Sequence, residues 1–302
     1  MTMATLPAED VERRVRRLSA TAARRYLDPD EAVPGQVGTG QLLPTELLSI
    51  AGLDLDLTPE QLVTLSRQEV ASLTATGLFF EAVLQAGFGL HIAFDLEPTD
   101  PRVTFLLHEM GEETRHSRLF VRLLDQVEQL EPRARNPFAD GLFAQVMRRA
   151  IRLVVRHPAM LYTMVLAGEE IPDLIQKRAS EHPDTDPFVR AVNTYHRQEE
   201  ARHMSFARAV LPEVWERARP LDRWLTRHAA PVMIGIMFAT LTHPGVYAAA
   251  GLPGRATWRA TLTAGPRVQL RHDATRPVLK ALQDAGAVGR RVPRGWRRLC
   301  GL

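Results

Sequence analysis

The most constraining feature of this chain is an echo. Glu112-Glu113-Thr114-Arg115-His116 returns as Glu199-Glu200-Ala201-Arg202-His203. Each copy holds a Glu-x-x-His step in a segment that reads as helix. A helix turns ~100° per residue, so groups three apart leave one face. A carboxylate and an imidazole on one face are two metal donors aimed at one point. Two such helices, plus a Glu from each of two more, is how a four-helix bundle builds a di-iron or di-manganese carboxylate site. The echo therefore predicts an all-α, ferritin-like (ribonucleotide reductase-like) bundle.

The stripes carrying these residues agree. From Asp100 onward, Leu106, Met110, Glu113, His116, Phe120 and Leu123 share a face. From Asp186 onward, His196, Glu200 and His203 follow i, i+4, i+7 spacing, within about 60° around the axis. Val192, Ala207 and Val210 lie on the same stripe. Acids that interrupt an apolar face point into the core, where a metal is one of few partners that offset burying several together. Two more carboxylates are required. Glu81 shares a face with Leu78, Leu84 and Phe88 on a helix starting at Thr58-Pro59. On the helix around Ala159 the ligand is Glu169 or Glu170. Glu169 follows Tyr162, Val165 and Leu166 by helical steps, and Pro172 weakens the helix just behind it. Arg115 and Arg202 lie ~100° off the ligand face. Holding a ligating carboxylate and forming a solvated or inter-helix ion pair are equally open to them. His108 is five residues before Glu113, ~140° away, and is not expected to bind metal. His91, His157, His182, His228, His243 and His272 read as structural or surface residues.

X-Pro steps punctuate the chain, since αR is disfavoured before proline. They predict helices from Thr58 to about Phe94, Asp100 to Leu130, near Asp140 to His157, Pro158 to about Ala179, and Asp186 to Val210. Further helices are expected over Glu12–Tyr26, Glu213–Arg227, Ala229–Leu241 and Arg267–Ala285. Residues 1–57 read as a helix and arm packing on the bundle, 58–250 as the di-metal bundle, and 251–302 as a helical extension with a basic tail. Together they are expected to form one structural domain.

With 302 residues, 45% of them hydrophobic, the chain can bury a sizeable core. A net charge of +3 gives little support to a nucleic-acid partner. The arginine clusters at Arg13–Arg17 and Arg290–Arg298 read as solvated faces or a tail. The single cysteine, Cys300, excludes an internal disulfide and a cysteine-rich metal site, and fits a reducing cytoplasm. No leader pattern is evident at the N-terminus. The longest apolar run, Ala229 to Leu241, is shorter than the ~20 residues of a span, so no membrane is expected. No Rossmann fingerprint or P-loop is apparent, so electrons must come from an external donor.

The extra histidine, giving His196-x-x-x-Glu200-x-x-His203, resembles the p-aminobenzoate N-oxygenase (AurF-like) diiron oxygenase family. That family carries four Glu and three His in the order Glu81, Glu113, His116, Glu169, His196, Glu200, His203. Its interval between the third Glu and the extra His favours Glu169 over Glu170. Arg17-Leu18-Ser19 followed by Asp28-Pro29, and Leu65-Ser66-Arg67-Gln68-Glu69, are also similar. Ala32-Val33-Pro34-Gly35 departs from the family's usual acidic and aromatic residues there. The resemblance covers roughly residues 10–250. It implies two Fe ions, with Mn as an alternative. It also implies O₂-dependent oxygenation of a small-molecule amine through a peroxo-diferric species, in secondary metabolism. The product would be a hydroxylamine, nitroso or nitro compound, and a homodimer is expected by the same resemblance. The same ligands could serve a hydroxylase or desaturase acting on carbon, or a ferritin-like iron-binding protein. Leu84, Gln85, Phe88, Phe120, Tyr162 and Val165 are expected either to line a substrate pocket or to be core.

Overall fold

Asp-Pro and Thr-Pro pairs open the main helices. The computed structural model describes residues 8–302, and the expected absence of a leader falls on residues outside that range. Helix α1 spans Ala8–Arg24 and α2 Pro29–Ala32. An arm with one 3₁₀ turn, Thr45–Leu47, leads to α3, Pro59–Asp95. Then come α4 (Pro101–Leu130), α5 (Gly141–Val154), α6 (Pro158–Glu181) and α7 (Pro187–Arg217). After a short α8 (Pro220–Trp224), a π turn joins α9 (Ala230–Thr240) to the chain. The rest is α10 (Pro244–Ala249), α11 (Gly254–Thr263), α12 (Gly265–Asp284) and α13 (Arg294–Cys300). The described residues form no strand.

Local chemistry explains the starts. Thr58 accepts from the Gln61 amide while the Gln61 side chain accepts from the Thr58 amide, closing a capping box before Pro59. Asp100 accepts from the Arg102 amide. Asp186 accepts from the Phe188 and Val189 amides. The first turn of α6 is capped from a distance, by Asp222 accepting from the Ala159 and Met160 amides.

Helix α3 pairs with α4, and α6 with α7; α4 and α7, which carry the two echoes, also touch each other. Helix α1 lies against α4 and α7, α12 against α6, and α9 against α6. Buried apolar side chains form two clusters. One is centred on α6 and α7 with α9, α12 and α13. The other joins the arm residues Leu42, Leu43, Leu48 and Ile50 to α3, α4 and the start of α7.

Three sequence expectations change. Helix α7 does not stop at Leu211-Pro212 but runs on to Arg217. Pro212 removes one N–H, and the burial of Val214 and Trp215 outweighs that loss. Part of the basic tail is structural: α13 buries Trp296, Leu299 and Cys300. Apolar length is also greater than expected. Pro59–Asp95 and Pro220–Ala249 are long and apolar enough to cross a membrane by length and composition. In this fold α3 turns Ser66, Gln68, Glu69 and Glu81 inward, and a π turn interrupts the second stretch.

Candidate metal centre

The four central helices each deliver one part of a buried polar cluster. Helix α3 supplies Glu81, α4 Glu113 and His116, α6 Glu169, and α7 His196, Glu200 and His203. All seven are at most 4% exposed. Donor atoms of Glu81, His116, His196 and Glu200 lie within 4.8 Å of one another, as do those of Glu113, Glu169, Glu200 and His203.

Two carboxylates straddle both halves. Glu113 places Oε2 2.9 Å from His116 Nδ1 and Oε1 3.1 Å from His203 Nδ1. Glu200 places Oε1 3.2 Å from His116 Nδ1 and Oε2 3.0 Å from His203 Nδ1. Glu81 approaches His196 Nε2 at 3.1 Å. Glu170 points away and pairs with Arg208, leaving Glu169 in the cluster. His108 is outside both groups.

The full echo, beyond Glu-x-x-His, acquires a meaning that sequence reasoning missed. His116 Nε2 lies 3.0 Å from Glu199 on α7, and His203 Nε2 lies 2.8 Å from Glu112 on α4. The leading Glu of each copy thus accepts from the imidazole of the other. That contact holds Nε2–H in place and turns the Nδ1 lone pair inward. Arg115 contacts Glu199 at 3.0 Å, and Arg202 contacts Glu112 at 2.8 Å. The arginines therefore neutralise the carboxylates that orient histidines, not the inner ones. The repetition of Glu-Glu and of Arg in both copies was the signal for this. His196 is oriented differently, by Gln176 Oε1 at 3.0 Å from its Nδ1.

Electrostatics show what such a cluster needs. Burial, then the charges of Glu113 and Glu200, hold the Glu81 and Glu169 carboxyls well above the usual range. Burial also opposes ionisation of Glu113 and Glu200. His203 and the other neighbouring donors outweigh it, so Glu113 lies well below its usual value and Glu200 at about 2. His116 loses charge to burial but gains more from Glu113 and Glu199, reaching about 9. His203 is likewise raised, by Glu200 and Glu109 against burial. Burial depresses His196 to about 4. Glu109, one turn before Glu113, is also buried, its carboxylate oxygens without hydrogen bonds and 3.9 Å from His203 Nδ1 at the nearest. Burial is the main cause of its rise to about 8.

The residues fit a pair of divalent cations. Glu81 Oε2 and Glu169 Oε1 are buried without hydrogen-bond partners, and Glu113 Oε1 and Glu200 Oε1 face only the inward imidazole nitrogens, which is costly unless a cation completes them. Four carboxylates and three neutral imidazoles balance two 2+ charges. The donors are those of hard to borderline metals such as iron and manganese.

A cavity of about 100 Å³ reaches the Glu81, Glu169 and His196 side of the cluster, walled by Phe80, Phe120 and Ile175 among others. A larger chamber of about 710 Å³ lies between α3, α5, α6 and α9. Of the expected pocket residues, Phe120 lines the first and Leu84 the second. Phe88, Tyr162 and Val165 are core, and Gln85 accepts from Thr114.

Comparison with known proteins adds three findings. The family model described as p-aminobenzoate N-oxygenase AurF matches residues 8–286. Uncharacterized proteins of Mycobacterium tuberculosis and Mycobacterium bovis are 27% identical over 193 residues, covering 62% of this chain and 54% of theirs. The chain thus spans about half the length of the curated relatives it matches. A mutant R2-like ligand-binding oxidase with an aerobically reconstituted Mn/Fe cofactor superimposes with a TM-score of 0.50 at 15% identity. The match covers 89% of this chain and 93% of that one, and it shows the shared fold.

Proposed function

Because the chain belongs to the p-aminobenzoate N-oxygenase AurF family, we propose that it is a non-haem diiron oxygenase that transfers oxygen from O₂ to an amine nitrogen. The arylamine is the class of substrate. The observation that carries the reading is the convergence of Glu81, Glu113, His116, Glu169, His196, Glu200 and His203, with His196 one turn before Glu200. Glu81, His116, His196 and Glu200 would hold one metal, and Glu113, Glu169, Glu200 and His203 the other. A bound iron or manganese pair supplies redox activation of O₂.

The chain's own residues do the rest. Glu112 and Glu199 hold the His203 and His116 rings in one tautomer. Phe120 stacks on His196 at 5.1 Å, shielding that imidazole from water. The small cavity gives the amine an approach to the cluster on the side of Glu81, Glu169 and His196. The first step balances as amine plus O₂, two electrons and two protons giving hydroxylamine plus water. An external donor supplies the electrons. We place the protein in the cytoplasm, where its one free, buried thiol, Cys300, stays reduced.

The test is anaerobic loading with Fe(II), addition of ¹⁸O₂ and an arylamine with a chemical reductant, and mass spectrometry of the product. One ¹⁸O on nitrogen supports the reading. Two irons per chain with label only on carbon would replace it by a carbon oxygenase, and no iron uptake would remove the metal centre.

A further inference from the structure

The cavity beside the cluster is too small and too uncharged for a free aminobenzoate. An engineered cavity of roughly 150 Å³ is what a bare benzene ring occupies, whereas this one measures about 100 Å³. Among the described residues no lysine or arginine lines it. A carboxylate placed there would lose its water and meet no cation, only the neutral side chains of Thr74, Thr76, Gln176 and Asn193. The larger chamber, about 710 Å³, falls within the range of small-molecule sites. Thr76, Phe80 and Met237 belong to the walls of both spaces.

Phe80 is the partition, and its position is built in. Its ring lies so close to Gly168 that a Cβ there would fall 1.6 Å from Phe80 Cζ. Gly168 immediately precedes Glu169, and Phe80 immediately precedes Glu81. The seat of the ring is therefore tied to two of the proposed ligands. On the outer side, Phe79, Phe143, Met147, Ile151 and Met164 make the chamber apolar. Cations stand there as well. Arg133 and Arg135 are partly engaged, with Glu128 at 3.1 Å and Asp140 at 3.0 Å. Arg148 has only a long contact, 3.4 Å, to the Ala144 carbonyl.

We propose that the substrate is a neutral aromatic amine on an extended apolar body. The body fills the outer chamber, and the nitrogen passes Phe80 to reach the Glu81, Glu169 and His196 side of the cluster. Charge near the nitrogen is excluded, and an anionic group is tolerated only at the far end, beside Arg133, Arg135 and Arg148. The proposal rests on the N-oxygenase reading and narrows it. Phe80 sets which amines pass.

The test titrates the Fe(II)-loaded full chain anaerobically by calorimetry with 4-butylaniline and with p-aminobenzoate. The neutral amine is expected to bind tighter by on the order of 100-fold, the penalty of burying a carboxylate with no cation beside it. Phe80→Trp is expected to weaken 4-butylaniline by about tenfold, with two metals per chain and helicity retained. Thr76→Arg, which puts a guanidinium on the shared wall, is expected to recover p-aminobenzoate binding by about tenfold. Equal binding of the two amines by the natural chain overturns the proposal. So does a folded, metal-loaded Phe80→Trp variant that binds 4-butylaniline unchanged. If 4-butylaniline binds preferentially but is recovered unoxidised after O₂ and reductant, the N-oxygenase reading fails, while the binding preference still supports the pocket assignment.

Discussion

Loading the cluster with metal should expel protons, and the number follows from the structure. In the metal-free protein, burial and their carboxylate neighbours push Glu81 and Glu169 well above the usual carboxyl range, toward the protonated form. His116 and His203 are held as imidazolium, their losses to burial outweighed by the acids around them. Glu113 and Glu200 are ionised and His196 is neutral. In those forms two negative and two positive charges cancel. Two divalent cations with four carboxylates and neutral imidazoles are also neutral. The exchange therefore favours release of protons from Glu81, Glu169, His116 and His203, up to about four per metal pair. Affinity rises with pH, because the bound form carries fewer protons. The expected slope is roughly two decades per metal per pH unit while all four groups remain protonated, flattening as pH passes about 9 where His116 deprotonates. Calorimetry of Fe(II) or Mn(II) binding in two buffers of different ionisation enthalpy gives the proton count directly. Glu81→Gln should lower it by about one. Release of fewer than two protons per pair, or affinity independent of pH, would refute the charge assignment.

Other outcomes can be checked on the same material. His196→Ala should lower iron content below two per chain, whereas His108→Ala, outside both donor groups, should leave it unchanged. Unchanged loading in the first, or loss in the second, would show the helical phase to be wrong. Glu112→Gln removes the charged partner of His203 and Arg202. It should weaken metal binding by roughly 10- to 100-fold, as loss of an orienting partner does, and equilibrium dialysis reads this. Gly168→Ala drives a methyl into the Phe80 ring. Overpacking of this kind costs about 1–3 kcal/mol, seen as a lower denaturation midpoint in urea.

Much of the site was legible because helical phase is local. Glu113 with His116, and Glu200 with His203, share a face by spacing alone, and the apolar residues between them said which way that face looks. His196 is reached by the same step of four, and His108 is excluded by a step of five. Helical phase alone does not separate Glu169 from Glu170, since adjacent residues differ by only ~100°. Packing separated them by giving Glu170 an arginine, Arg208, from α7. The end of α7 was misread because Pro212 breaks a local rule that the buried Val214 and Trp215 override.

The sequence by itself determined where the four central helices start, through Pro and cap residues, and which of their side chains face inward. Both depend on contacts within a few residues. Only the tertiary structure decided that Glu112 serves His203 and Glu199 serves His116. These partners sit 91 and 83 residues apart, and their meeting depends on how α4 crosses α7. The Phe80 ring on Gly168 is of the same kind, a fit between α3 and α6 that has no periodicity to betray it. Spacing along one helix is a property of the chain; the distance between two helices is a property of everything packed around them.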